Sequence, residues 1–246
     1  METGNSLNKP YIWLKENKCA DHLPDVSHAL TEPDGLLAIG GVLSPSLLLD
    51  VYRKGIFPWY GEGQPVMWWS PDPRCVLFPD DFKISRSLRK SLRKAEYVVT
   101  FDQAFSDVVR SCAEPRLASP GTWITRSVIK NYQLLHESGH AHSVECWHGE
   151  TLVGGLYGIA IGKIFFGESM FSRMPDASKI CMAHLLHLVK ELEYDLIDCQ
   201  VTSDHLKSLG AKAIPRKDFS NIINKSCSDF FAKTEQNWPF ISDYAP

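Results

Sequence analysis

Residues 141–201 read AHSVECWHGETLVGGLYGIAIGKIFFGESMFSRMPDASKICMAHLLHLVKELEYDLIDCQV, and their pattern decides the fold. Ala141 to Trp147, Thr151 to Ile161 and Ile164 to Met170 are largely apolar runs separated by HGE and GK. Runs of this length parted by tight glycine turns predict three strands in an antiparallel meander. Ala177 to Leu192 changes to helical spacing and predicts a long helix. Tyr194 to Val201 returns to a short, mostly apolar strand. Leu152 to Phe166 is the longest apolar region, but glycines and Lys163 interrupt it, so it reads as strands and not as a membrane span.

The neighbouring segments extend this mixed order. Upstream, helical patterns cover Asp102 to Cys112 and Thr125 to Ser138, the second ended by Gly139. Residues 83–94, KISRSLRKSLRK, place Ile84, Leu88 and Leu92 four apart, which predicts an amphipathic helix with one buried stripe. Ser44-Pro45 has the form of a helix cap with proline in the first turn, and Gly55 closes that helix. WWSPDPR, with two prolines, cannot be regular helix and marks a boundary near Pro71 to Arg74. Downstream, His205 to Leu209 is a short helix ended by Gly210, and Ala213 to Pro215 a last strand. The expected class is α/β (α+β), divided into an extension (1–20), a small N-terminal domain (21–72), a larger domain (73–225) and a tail (226–246).

Bulk properties narrow the function. The 246 residues are 44% hydrophobic and 22% charged, an ordinary globular composition. The net charge of −3 rules out a polycation, so any nucleic-acid surface must be local. The seven scattered cysteines contain no C-x-x-C pair, which argues against a zinc or redox motif and for reduced thiols. METGNSLNKP lacks the form of a secretory signal, and the expected location is the cytoplasm.

Four constellations carry possible chemistry. The basic segment contains Arg86, Lys90, Arg93 and Lys94 on one helical face opposite the leucine stripe, with no acid among residues 83–94. Such a face suits a phosphate backbone, because binding releases counterions; a solvated surface is the plainer reading. In LIDCQV, strand alternation puts Asp198 and Gln200 on one face and turns Cys199 to the other. Glu168 interrupts the apolar strand FFGESMF, where a carboxylate needs a partner: an internal cation or a cationic ligand group. Trp59, Trp68, Trp69 and Trp123 lie in loop-like stretches and either line a ligand pocket or fill a domain seam. His136, His140 and His142 suggest a metal, but Gly139 interrupts the helix and no acid or cysteine completes a ligand set. LAIGG lacks the lysine and the spacing of a phosphate loop.

Taken together and in order, PDGLLAIGG, GIFPWY, MWWSPDPR, GTWIT, GGLYG, FFGESMFSR, ASK and IDCQV resemble the leucyl/phenylalanyl-tRNA–protein transferase family over roughly Leu23 to Phe219. The resemblance implies a small N-terminal domain followed by a GNAT-type acyltransferase domain. It also implies a reaction: leucine or phenylalanine, less readily methionine, moves from aminoacyl-tRNA to a protein beginning with arginine or lysine, marking it for N-end rule degradation. By resemblance Asp198 and Gln200 are catalytic, with Asp198 polarising or orienting Gln200, whose carbonyl accepts a hydrogen bond from the attacking amine. Trp59, Trp123, Leu156, Phe165 and Met170 would form the side-chain pocket, with Tyr52 and Tyr132 near the aminoacyl-adenosine and Glu168 beside it. The basic face would hold the tRNA acceptor stem, and neither a cofactor, a metal nor a membrane is implied; a monomer is expected.

The chain departs from the family pattern at His22-Leu23-Pro24, Val42, Ala118 to Pro120, and Leu156, where relatives often carry methionine. Two other readings compete. An acetyl-coenzyme A-dependent GNAT acetyltransferase would need a glycine-rich pyrophosphate loop, and the corresponding SRMPDASK has no glycine. A non-catalytic RNA-binding module would explain the basic helix but not Glu168 with Asp198 and Gln200.

Reversing Arg86, Lys90, Arg93 and Lys94 to glutamate is expected to weaken tRNA binding strongly while the fold stays intact. Wild-type binding should itself weaken as salt rises. Filter binding of aminoacyl-tRNA over a salt series tests this, and unchanged affinity of the fourfold variant would discard the surface.

Overall fold

The computed structural model describes residues 12–15, 22–93, 96–115 and 122–228. A small sheet is built from β1 (Ile12–Leu14), β2 (Leu36–Gly40), β3 (Phe57–Pro58) and β4 (Met67–Trp69), in the order β1-β2-β4-β3. β1 comes from the stretch read as an extension and pairs in parallel with β2. Between β2 and β3 runs α1 (Pro45–Arg53). Ser44 caps it by accepting the Leu47 N–H, and Gly55 leaves it at φ +74°, as the sequence led us to expect.

The second sheet has seven strands: β5 (Arg74–Leu77), β6 (Val98–Phe101), β7 (Ala141–His148), β8 (Thr151–Ile161), β9 (Ile164–Ser172), β10 (Leu196–Gln200) and β11 (Lys212–Ile214). Their order is β11-β5-β10-β9-β8-β7-β6. The helices along it are α2 (Arg86–Leu92), α3 (Phe105–Ala113), α4 (Arg126–Glu137), α5 (Ala177–Glu191), α6 (Asp204–Ser208) and α7 (Arg216–Ser226). β7, β8 and β9 form the antiparallel meander, and after α5 the chain re-enters beside β9 as the parallel strand β10. This is the strand–helix–strand order of the expected α/β acyltransferase architecture.

Alternation divides the core. Leu156 and Phe165 face one side with α5, while the adjacent Tyr157 and Phe166 face the other with residues of α1, α3 and α4. α5 buries Ile180, Cys181, Leu185, Leu188 and Val189 and can lie close to β8 because Gly154 has no side chain. A Cβ at Gly154 would stand 2.6 Å from that of Ala177.

Three elements escaped the sequence reading. β5 is buried at all four positions and so offers no alternation to read; it sits inside the sheet, between β10 and β11. β6 is a short edge strand, and α7 buries Phe219 and Ile223, one turn apart. The basic helix is shorter than expected. Ser85 accepts the Leu88 N–H, so the helix starts at Arg86 and leaves Ile84 outside it and exposed, while Leu88 is fully buried.

Candidate active site

β9 and β10 hydrogen-bond only along Ile164–Phe166 and Leu196–Asp198. β9 then continues to Ser172 while β10 ends at Gln200, so the strands part and a cleft opens between them. Both strands carry an irregularity at this point. On β9, Ser169 faces Tyr157 and Gly167 faces Gly158, which leaves Glu168 as the extra residue. On β10 the register against β5 shifts between Asp198 and Gln200, and Gln200 takes a left-handed φ of +55°. Such bulges re-aim side chains.

The cleft holds about 560 Å³ and is lined by Phe57, Trp59, Trp123, Glu168, Met170, Gln200 and His205 among others. Beneath it an apolar recess of about 90 Å³ is formed by Leu156, Phe165, Met170, Met182, Leu185 and Ile197. Glu168, Met170, Cys199 and Gln200 line both spaces. The structure therefore brings together Trp59, Trp123, Leu156, Phe165, Glu168, Met170 and Gln200. Met182 and Leu185 were missed: they sit one turn apart on α5, whose many buried positions hide which face meets a ligand.

Tyr52 and Tyr132, expected near the aminoacyl-adenosine, do not themselves line this space. Both are fully buried behind Glu168, and their hydroxyls meet its carboxyl: Tyr52 at Oε1 and Tyr132 at Oε2, 2.9 Å away. The two hydroxyls are also 2.7 Å from each other. Three oxygen contacts need three protons, and two phenols supply two. The third is present when Glu168 is protonated, which closes the ring. Burial pushes the Glu168 carboxyl up to about 7, against the lowering effect of both tyrosines.

The Asp198–Gln200 pair also differs from expectation. Asp198 is fully buried and its carboxylate is gripped at two points by Arg74: Nε to Oδ1 at 2.8 Å and Nη2 to Oδ2 at 2.7 Å. Asp198 Oδ1 further accepts the backbone N–H of Gln200 at 3.0 Å. It thus holds the Gln200 main chain, not the side-chain amide, whose Nε2 is buried without a hydrogen-bond partner. Arg74 also donates to the Gly55 carbonyl at 3.1 Å and lies between the rings of Phe57 and Phe219. Sequence reasoning missed Arg74, although an arginine after PDP, among apolar residues, needs an anion.

Simple alternation fails for Cys199 as well. The bulge leaves it partly exposed and lining the same spaces as Gln200. The neighbouring Cys75 thiol and burial push the Cys199 thiol above the usual range. Of the basic residues, Arg86, Lys90 and Arg93 are exposed and stand in helical register; Lys94 lies outside the described residues. The three histidines line neither space. His142 Nδ1 is 2.7 Å from Asp102 Oδ2, and His136 Nδ1 is 2.8 Å from the Ala141 carbonyl.

The raised Glu168 value has a consequence for stability. Folding favours the protonated carboxyl, so ionised Glu168 weakens the fold as pH rises from the usual carboxylate range through about 7. Glu168→Gln keeps one donor and one acceptor and removes this penalty. The variant is expected to gain in thermal midpoint over wild type at pH 8 relative to pH 5. A difference independent of pH would refute the neutral-acid arrangement.

Residues 76–224 match the family model for leucyl/phenylalanyl-tRNA protein transferase, and residues 41–72 match the model for its N-terminal domain. A leucyl/phenylalanyl-tRNA–protein transferase from Nitrosospira multiformis is 49% identical over 228 residues, covering 93% of this chain and 96% of the relative. One from Cellvibrio japonicus is 56% identical over 200 residues, covering 81% and 85%. Among solved structures, a GCN5-related N-acetyltransferase from Kribbella flavida covers 69% of this chain and 60% of its own at 13% identity, with a TM-score of 0.37. L-PGS from Bacillus licheniformis covers 73% and 57% at 15% identity, also with a TM-score of 0.37. Likenesses that distant carry no argument about the site. Identity of about half over nearly the full length shows the family: this chain belongs to the leucyl/phenylalanyl-tRNA–protein transferase family.

Proposed function

We propose that this protein takes leucine or phenylalanine, less readily methionine, from aminoacyl-tRNA and joins it to the α-amino group of proteins beginning with arginine or lysine, so marking them for N-end rule degradation. The observation that carries this reading is an apolar recess opening into a cleft, both lined by one carboxyl, Glu168, and one amide, Gln200. The recess would take the transferred side chain, with Leu156, Phe165 and Met170 as walls. Trp59 and Trp123, expected in the side-chain pocket, line the wider cleft and not the recess, and there would flank the aminoacyl-adenosine; Arg86, Lys90, Arg93 and Lys94 would flank the acceptor stem.

The chemistry asks little of the protein. An aminoacyl-tRNA is already an activated ester, and an α-amino group with a pKa of roughly 7.7–8.0 is partly neutral near pH 7. Holding amine and carbonyl together contributes most. Gln200 would accept a hydrogen bond from the amine through its side-chain carbonyl, with Asp198 holding its backbone. Glu168 would ionise when a cationic N-terminal residue arrives, since a positive neighbour favours the charged carboxylate. Tyr52 and Tyr132 then act through Glu168, donating to it from behind.

An acetyl-coenzyme A reading is weaker. Asp176, at the start of α5, pairs with Lys179 and accepts from Ser91, which puts a carboxylate where a pyrophosphate would seek free N–H groups. Among the described residues no helix is long and apolar enough to cross a membrane. A monomer working in the cytoplasm without a cofactor completes the proposal.

Mixing the purified protein with leucyl-tRNA and a peptide beginning with arginine should give the leucyl peptide, and a peptide beginning with aspartate should not react. Transfer to neither peptide would sink the reading. Glu168→Gln is expected to raise KM for arginine- and lysine-starting peptides by roughly 10-fold, the scale of a lost charge-assisted hydrogen bond. The wild-type KM should likewise rise as pH falls through about 7, where Glu168 gains its proton. A KM indifferent to both changes would return Glu168 to a structural role. Cys199→Ser should retain most of the turnover, and a trapped aminoacyl thioester on Cys199 would instead demand a covalent route.

A further inference from the structure

Gln200 is nine-tenths buried, yet its side-chain Nε2 has no hydrogen-bond partner, and the residue lines the cleft. A buried amide donor left open in this way costs free energy unless a ligand fills it. Its backbone is also held in a conformation that a residue with a Cβ rarely adopts, at φ +55°. Asp198 provides the restraint by accepting the Gln200 N–H. Asp198 in turn has no exposure to the cleft, and both its oxygens are occupied by Arg74. The chain of contacts runs from Arg74 through Asp198 to the Gln200 main chain and ends at an open amide.

We propose that Arg74 is a positioning residue whose two-point grip on Asp198 sets the Gln200 side chain to meet the tetrahedral intermediate with both ends of its amide. The inference rests on the transfer reaction proposed above. In that reaction the amine nitrogen bonds to the ester carbonyl carbon, and the carbonyl π pair moves onto oxygen. The intermediate then carries an N–H and an O⁻ on one carbon. The Gln200 amide carries its C=O and N–H on one carbon as well, so the two groups pair as a closed ring. Gln200 Oε1 accepts from the attacking nitrogen, and Gln200 Nε2–H donates to the oxyanion. When the intermediate collapses, the bond to the ribose oxygen breaks. That oxygen leaves with the electron pair and takes up the proton lost by nitrogen, and Gln200 is unchanged. An oxyanion donor fixed before the reaction contributes most when it needs no reorganisation. Arginine supplies that fixity because its planar fork holds a carboxylate in one orientation, which a lysine cannot do.

Steady-state transfer of leucine from leucyl-tRNA to an arginine-starting peptide tests this. Gln200→Glu keeps an acceptor of the same shape but loses the N–H donor. Its kcat is expected to fall by roughly 10²-fold, the effect of removing one oxyanion donor, with KM for leucyl-tRNA little changed. Undiminished kcat in Gln200→Glu overturns the donor role. Arg74→Met with Asp198→Leu replaces the ion pair by apolar groups of similar size, an exchange that buried pairs often tolerate. This double variant should keep its thermal midpoint and its KM and lose kcat, and adding Gln200→Glu to it should cost little more. Wild-type kcat in the folded double variant, or a full further loss on adding Gln200→Glu, overturns the linkage. If the double variant does not fold, Arg74→Lys decides: it keeps the charge without the fork, and unchanged kcat in it overturns the proposal. A wild-type protein silent in the same assay defeats the transfer reading itself, which separates that failure from this one.

Discussion

The buried ion pair between Arg74 and Asp198 is the contact on which the site depends. Arg74 opens β5 and Asp198 lies on β10, neighbouring strands of the seven-stranded sheet. The same guanidinium reaches the Gly55 carbonyl just beyond α1, and it packs against Phe57 of the small sheet and Phe219 of α7. One side chain therefore joins the N-terminal part, the main sheet and the last described helix. Two charges taken out of water gain little net stability, and replacing them by apolar groups is often harmless. Breaking one partner is another matter, because an uncompensated buried charge remains. The gain from the pair is geometric: a carboxylate held at two points has one orientation left with which to accept the Gln200 N–H.

Sheet irregularity does the rest. In a regular strand, Glu168 and Gln200 would take their turn in strict alternation. Instead each sits at a bulge on one of two adjacent strands that have just ceased to pair. The parting of β9 and β10 creates the cleft, and the two bulges bring a carboxyl and an amide to it. The apolar recess lies underneath because β8, β9 and α5 still pack closely there. Glycine makes this possible: a Cβ at Gly158 would come within 2.3 Å of the Phe166 carbonyl oxygen. Two polar groups at the cleft are backed by buried partners, Glu168 by Tyr52 and Tyr132, and Gln200 by Asp198 and Arg74.

Legibility followed the range of each interaction. The meander, α5 and the capped α1 were readable because apolar period, glycine turns and Ser44-Pro45 are local signals. β5 was not, since a short strand buried on both faces has no period. α2 was read one turn too long at its start because the Ser85 cap outweighs the apolar spacing of Ile84. The alternation argument predicted Asp198 and Gln200 on one face and Cys199 on the other. It failed at the bulge, which is a feature of pairing between strands and not of either strand alone.

The sequence alone determined the α/β class, the order of the central strands and helix, the local basic helix and, through long shared motifs, the family. These rest on neighbours within a few residues or on ordered strings that a linear reading can register. Only the tertiary structure decided which groups meet. Arg74 and Asp198 are separated by 124 positions and Tyr52 and Glu168 by 116, and each pair is joined by a hydrogen bond. It also decided that Tyr52 and Tyr132 stand behind Glu168 and that Asp198 holds a backbone. The physical reason is that burial and charge compensation depend on what the fold carries to each group from elsewhere in the chain. No period or spacing within one segment encodes that.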